Sequence, residues 1–125
     1  MTLGLIGKKI GMSREFLDSG ASVPVTVVRV EKGRVIDIYS KEKNGYSSVK
    51  LGFFKIKPSK LTSQMKGFFA KKNTEPKKIL KEYRLDKTEN YKIGSEIGLE
   101  LFKDVKFIDV RSKTVGKGFA GPMKR

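Results

Sequence analysis

The chain contains no cysteine and no histidine among its 125 residues, and these two absences exclude many kinds of catalytic and metal site. Without cysteine there are no disulfides and no thiolate nucleophiles. Without histidine there is no Ser-His-Asp triad, no imidazole base and no Cys/His zinc site. The apolar run in residues 1–9 is too short for a signal peptide or a membrane span, so we expect an intracellular start and no membrane partner. The absence of cysteine and histidine therefore excludes most classes of enzyme.

Acidic residues are also few: 13 Asp and Glu stand against 28 Lys and Arg, which gives a formal net charge of +15. Such an excess repels itself unless a polyanion neutralises it, and nucleic acid is a commoner partner than an anionic membrane or an acidic protein. Six of these cations are arginine and the rest are lysine, which binds phosphate as a point charge. The composition favours backbone contacts over base reading, although lysine codons in an A/T-rich genome are an alternative explanation.

Short apolar and β-branched segments separated by glycine-centred turns, among them Asp18-Ser19-Gly20 and the hairpin signal Lys43-Asn44-Gly45, predict a mainly β fold in one domain. The predicted strands lie at residues 3–10, 14–17, 21–31, 34–40, 49–53, 78–85 and 105–110. The arm from Val23 to Val30 is too uniformly apolar for a surface strand, whereas the alternation of Val49, Leu51 and Phe53 predicts a strand with one wet face. Seven or eight strands at intervals of about ten residues are typical of a small antiparallel β-barrel.

Residues 55–81 form a basic excursion with nine lysines and one acid, Glu75. A short helix is predicted from Ser59 to Lys66, with Ser59 or Thr62 as its N-cap and Gly67 ending it. We interpret the lysines as an RNA-facing surface; a solvated face is the alternative. Phe68 and Phe69 could stack on bases, but we favour an anchor to the core.

Six of the thirteen acids fall between residues 82 and 104, which indicates a side of the molecule that faces away from a polyanion. Glu96 and Glu100 are interpreted as solvent-facing rather than as an acid/base pair, with Ile97, Leu99 and Leu101 pointing inward.

The last fifteen residues, 111–125, carry five cations and no acid. The glycines at 116, 118 and 121 match the spacing G-x-G-x-x-G, but a dinucleotide site also needs a following helix and an acidic residue about 20 positions further on. The 125 residues do not contain that acid, so a nucleotide-dependent enzyme is the weaker interpretation. We expect a flexible basic segment in which glycine lets the backbone approach nucleic acid.

Four motifs together carry a family resemblance: Gly4-Leu5-Ile6-Gly7-Lys8-Lys9-Ile10-Gly11-Met12, Val23-Pro24-Val25-Thr26-Val27, Glu100-Leu101-Phe102 followed by Val110, and Gly116-Lys117-Gly118-Phe119-Ala120-Gly121 with Lys124-Arg125. Over essentially the whole chain the sequence resembles the bacterial-type large-ribosomal-subunit protein three, the universal "L three" family. The resemblance implies a barrel like that of translation elongation factors and direct, early binding to large-subunit rRNA. It also implies a structural role near the peptidyl transferase centre, with no enzymatic activity, cofactor or small-molecule substrate.

The chain departs from the family pattern in two places. Family members usually have histidine at the position of Phe68, and they continue beyond the Lys-Arg pair into a long basic finger. The resemblance thus implies an N-terminal portion: one incomplete barrel domain over residues 1–125, a basic helical excursion at 55–81, and a basic Gly-rich segment at 111–125 leading towards the finger.

The partners implied are 23S-type rRNA and neighbouring large-subunit proteins, in the cytoplasmic ribosome of a bacterium rather than in an organelle. The alternative is a non-specific nucleic-acid-binding or chaperone barrel outside the ribosome. The predicted RNA-binding residues are Lys8, Lys9, Lys55, Lys57, Lys60, Lys71, Lys72, Arg111, Lys113, Gly116, Lys117, Gly118, Gly121, Lys124 and Arg125.

Overall fold

A computed structural model describes residues 3–86 and 88–124, apart from the side chain of Lys124. The six strands are β1 Gly7–Phe16, β2 Ser22–Val30, β3 Gly33–Tyr39, β4 Ser48–Lys55, β5 Lys77–Arg84 and β6 Glu96–Ile97. Two helices, α1 Lys41–Asn44 and α2 Ser63–Lys71, and three 3₁₀ turns, Pro58–Lys60, Leu99–Phe102 and Pro122–Lys124, connect or follow them. The predicted mainly β class is confirmed. The strands form two separate antiparallel sheets, so the described residues do not build a closed barrel.

Strands β1 and β2 form a two-stranded hairpin around the predicted Asp18-Ser19-Gly20 turn, in which Gly20 adopts a φ of 80°. Both strands are largely exposed, and Ile10, Met12 and Phe16 keep 63%, 67% and 73% of their surface in contact with solvent. The expected burial of the β2 arm is therefore wrong for the described residues. Antiparallel pairing from Gly7 opposite Val30 to Phe16 opposite Ser22 aligns the two strands without covering them.

The second sheet has the order β5-β4-β3-β6 and carries the hydrophobic core. Val35, Val49, Leu51 and Phe53 are fully buried, with Leu3 and Leu85 beside them. The predicted wet face of β4 is wrong, because β4 is a central strand whose other side is covered as well. Gly52 is buried there, and the side chain of Lys50 is 22% exposed.

Helix α2 lies over this second face of the sheet. Its Phe69 is 2% exposed, and the ring of its Phe68 lies 5.8 Å from Nζ of Lys50. The prediction that α2 ends at Gly67 is wrong, since the helix continues to Lys71. Burial of Phe69 outweighs the weak helix propensity of glycine, and the expected anchor is thus Phe69.

A β-bulge in β3 shapes this face. The register between β3 and β4 shifts between Val35 and Asp37, so that Ile36 is the extra residue and Asp37 pairs with Lys50. A Cβ on Gly52 would lie 2.7 Å from Cγ of Lys77 and 3.0 Å from Cγ1 of Ile36, so glycine allows the close packing there. The bulge places a carboxylate beneath α2.

The strand predicted at residues 105–110 is absent from the described structure. These residues are exposed and irregular, as is the chain that follows them up to the turn at Pro122–Lys124. Leu99 is 60% exposed within a 3₁₀ turn, which contradicts its predicted inward orientation. Hydrophobic residues alone do not form a strand where no neighbouring edge offers hydrogen bonds.

Candidate nucleic-acid interface

Three of the predicted RNA-binding lysines meet in one open cleft, which we name the lysine cleft. It is lined by Lys55, Lys57, Lys60 and Lys78 around Ile56. Pro58 begins a 3₁₀ turn in which the Lys60 N–H donates to the carbonyl of Lys57 at 2.9 Å. This turn folds Lys60 back towards Lys57, and the charges gather there because the chain reverses direction after β4.

Phe54, the residue before the cleft residue Lys55, has an unusual backbone conformation. Phe54 has a φ of 56°, a region that bulky residues rarely adopt. Its side chain packs against the hydrophobic core, and this contact holds the strained residue in place. The last residue of β4, Lys55, follows it and lines the cleft.

The lysine cleft is strongly positive, because Glu75 is the one acid paired with its lysines among the described residues. Glu75 lies 3.4 Å from Nζ of Lys55 and 4.0 Å from Nζ of Lys77. The side chains of Lys55 and Glu75 are 79% and 53% exposed, so their ion pair neutralises little. At about 240 Å³ the cleft is smaller than a typical small-molecule pocket and suits phosphate groups better.

The two predicted lysines at the end of α2 have different environments. Lys71 is exposed. Lys72 donates a 2.8 Å hydrogen bond to Oδ1 of Asp37, and the two side chains are 28% and 13% exposed. The charge of Lys72 is therefore largely compensated within the protein.

The remaining predicted cations lie outside the lysine cleft. Lys8 and Lys9 are exposed on the hairpin, opposite Arg29 and Val28. Arg111, Lys113 and Lys117 are exposed in the irregular C-terminal segment. Arg125 and the side chain of Lys124 lie outside the described residues.

The glycines at 116, 118 and 121 border open space, since no heavy atom lies within 4 Å of a Cβ built on any of them. Of the three, Gly118 has a positive φ, 73°, and so has a backbone requirement for glycine. The residues after Gly121 form a short 3₁₀ turn, Pro122–Lys124, and not the helix that a dinucleotide fingerprint needs.

A polar network on the second face of the sheet was missed by sequence reasoning. The Lys50 ammonium donates to the Tyr39 hydroxyl at 2.6 Å, and the Ser48 hydroxyl donates to Oε1 of Glu82 at 2.9 Å. Burial lowers the pKa of Lys50, but the hydrogen bond with Tyr39 and nearby acidic groups outweigh this effect and the pKa is raised. Glu82 is thus not simply one of the solvated acids of residues 82–104.

Lys78 was also missed as a cleft residue, although a signal existed in the strand pairing. Lys55 pairs with Lys77 at the end of the β4–β5 ladder, and Lys78 is the next residue. Within the described residues there is no group of three or more acidic side chains that could hold a metal ion, and no helix there is long and apolar enough to cross a membrane.

No family model matches the chain. The protein named Large ribosomal subunit protein uL3 of Pelagibacter ubique is 63% identical over 123 residues, which are 98% of this chain and 52% of that relative. The protein of the same name in Magnetococcus marinus is 46% identical over 125 residues, or 100% of this chain and 58% of the relative. The protein of the same name in a Hydrogenobaculum species is 41% identical over 123 residues, which are 98% of this chain and 53% of that relative.

The chain spans about half the length of these curated relatives, and it matches an N-terminal portion of them. The resemblance predicted from the motifs is confirmed: nearly the whole chain matches an N-terminal portion of curated relatives named Large ribosomal subunit protein uL3, at up to 63% identity.

Proposed function

We propose that the chain is part of a structural, non-enzymatic protein of the large ribosomal subunit that binds large-subunit rRNA directly and early in assembly. The observation that carries the proposal is the lysine cleft, where Lys55, Lys57, Lys60 and Lys78 converge. The name of the relatives, Large ribosomal subunit protein uL3, supports the same subunit for this chain.

The chemistry of the surface suits RNA backbone. A-form RNA presents phosphates and 2′-hydroxyls more readily than base edges, and lysine neutralises phosphate without reading sequence. The proposed interface extends from the lysine cleft to Lys71 on α2, to Lys8 and Lys9 on the hairpin, and to Arg111, Lys113, Gly116, Lys117, Gly118, Gly121, Lys124 and Arg125. Lys72 contributes through its bond with Asp37, which positions α2.

The wider architecture is also part of the proposal. Residues 1–125 would form one barrel domain, similar to that of elongation factors, which further strands complete. The excursion at 55–81 and the segment at 111–125 would lie against rRNA, the latter leading to a basic finger near the peptidyl transferase centre. The bacterial relatives, which are nearly twice as long, support a cytoplasmic bacterial ribosome with neighbouring large-subunit proteins.

A charge-matched pair of variants tests the proposal. Lys57→Gln with Lys60→Gln removes two charges from the lysine cleft, and Lys92→Gln with Lys103→Gln removes two from exposed positions elsewhere. We expect the first variant to bind large-subunit rRNA more weakly and to flatten the slope of log K against log salt by roughly 1.4 to 1.8. The second variant should change neither the affinity nor the slope by much. Equal effects of the two variants would contradict a localised interface.

A further inference from the structure

A second open cleft lies at the other end of the β4–β5 ladder from the lysine cleft. It is lined by Lys41, Tyr46, Arg84, Leu85 and Asp86, which come from the start of α1, the loop after α1, and the end of β5 with the two residues that follow it. Ser48 pairs with Arg84 at this end, and Lys55 pairs with Lys77 at the other. Seven residues of strand at about 3.3 Å each separate the two ends by roughly 23 Å. We name this second site the Tyr46 cleft.

An aromatic ring and a guanidinium group face each other in the Tyr46 cleft. The Cζ atom of Arg84 lies 4.9 Å from the centroid of the Tyr46 ring, within the range of a cation–π contact. The Tyr39 ring lies 6.4 Å from the Tyr46 ring at an angle of 34°. Tyr46 remains 36% exposed and Arg84 is exposed, so both groups are accessible to a ligand.

The Tyr46 hydroxyl lies beside the polar network. A hydrogen bond with the Glu82 carboxylate is the largest cause that raises the pKa of Tyr46. Glu82 is itself fixed by the Ser48 hydroxyl at 2.9 Å and lies 4.0 Å from Nζ of Lys50. The Tyr46 ring also has Arg84 at 4.9 Å and the Tyr39 ring at 6.4 Å, and a ring restricted by such neighbours loses little conformational freedom when a ligand stacks on it.

The charge of the Tyr46 cleft differs from that of the lysine cleft. Two cations, Lys41 and Arg84, are offset by the carboxylate of Asp86, which also lines the cleft. Attraction for phosphate is therefore modest and is directed towards Lys41, away from Asp86. Flat groups that stack fit this composition better than a run of phosphates does.

Aromatic rings and arginine guanidinium planes are the surfaces on which proteins stack unpaired RNA bases. We propose that the Tyr46 cleft binds one unpaired RNA nucleotide, with its base stacked against the Tyr46–Arg84 pair and its phosphate beside Lys41. The inference rests on the proposed RNA-binding function and adds a second kind of contact to it. The lysine cleft neutralises backbone, while the Tyr46 cleft selects single-stranded RNA.

The test compares the full 125-residue chain with Tyr46→Leu, Tyr46→Phe and the Lys57→Gln, Lys60→Gln double variant. The probes are an unstructured twelve-nucleotide RNA and the same strand annealed into a duplex. We expect Tyr46→Leu to bind the single strand roughly five- to twentyfold more weakly, the lower range for one base–aromatic stack, and to bind the duplex unchanged. Tyr46→Phe keeps the ring and should retain most of the single-strand affinity.

The outcomes separate this inference from the proposed function. If the double variant weakens both probes but Tyr46→Leu weakens neither, the Tyr46 cleft is not a base site and the lysine cleft survives. If Tyr46→Leu weakens single strand and duplex equally, stacking of an unpaired base is also refuted. If the unaltered chain binds large-subunit rRNA but not the single strand, the inference about the Tyr46 cleft fails and the proposed function stands; if it binds neither of them, both proposals fail. Thermal melting of each variant shows whether it is folded. If Tyr46→Leu is not folded, the test uses Tyr46→Phe and a single strand that contains 5-bromouridine, which should crosslink to the residue at position 46. The absence of a crosslink at that position would refute the site.

Discussion

The Lys72 ammonium group donates a 2.8 Å hydrogen bond to Asp37, and this bond joins helix α2 to the bulge of strand β3. Lys72 lies beside Lys71 in sequence, yet the two lysines serve different purposes. One is held against the sheet by a carboxylate that is 13% exposed, and the other is open to solvent. The basic excursion therefore contains a structural contact that holds α2 on the sheet, as well as a proposed binding surface.

Lys72→Ala should destabilise the fold, because it leaves the partly buried carboxylate of Asp37 without this charged donor. We expect the free energy of unfolding to fall by about 1.5–2 kcal/mol, at the lower end of the range for hydrogen bonds to charged groups. Urea denaturation measures the change. Lys71→Ala is the matched control and should stay within about 0.5 kcal/mol of the unaltered chain. Similar losses for the two variants would show that the bond contributes nothing specific.

Two glycine substitutions should change stability in opposite directions. A Cβ on Gly33 would lie 2.7 Å from Cε1 of the fully buried Phe53, so Gly33→Ala should lower the free energy of unfolding by about 1–3 kcal/mol. A Cβ on Gly67, inside α2, meets nothing within 4 Å, and Gly67→Ala should raise it by about 0.5–1 kcal/mol. Thermal or urea unfolding of both variants is the measurement, and destabilisation by Gly67→Ala would contradict the position of that residue in the helix.

The fold should lose stability at alkaline pH. Burial raises the pKa of Tyr83 above its ordinary value of 10.0, and the pKa values of Tyr46 and Lys50 are raised as well. The folded chain therefore keeps protons that the unfolded chain releases, so this stability is complete below about pH 10 and is lost as the pH rises through the raised values. Urea denaturation between pH 8 and pH 11.5, roughly spanning these values, follows the loss.

The control for this pH dependence is Tyr83→Phe, which removes the titrating hydroxyl and keeps the ring. Its stability should fall less steeply above about pH 10 than that of the unaltered chain. Parallel curves for the two proteins would show that Tyr83 is not responsible.

Local patterns predicted the strands that pair with sequence neighbours. The turn at Gly20, the hairpin signal at Lys43-Asn44-Gly45 and the strands β3, β4 and β5 follow from β-branched runs bounded by turn residues. The observed β3–β4 connection is longer than a tight turn, because it includes α1, with Gly45 at a φ of 79° closing the helix.

Tertiary contacts decided the features that the sequence did not predict. The bulge at Ile36 and the covering of β4 by α2 bring Asp37 to Lys72, although 35 positions separate them in the chain. Similarly, Lys78 reaches the lysine cleft because β5 returns beside β4. A count of lysines predicts a basic surface, but it does not show which lysine is paired with an acid.

We expect the chain to recognise large-subunit rRNA through a localised basic surface. The most direct measurement is the affinity of the 125-residue chain for large-subunit rRNA across a salt series, with excess unrelated duplex as competitor. We predict binding that survives the competitor at moderate salt, with a slope of log K against log salt of about −0.7 to −0.9 for each phosphate contacted. Binding that the competitor removes completely would contradict the claim and leave a non-specific polycation.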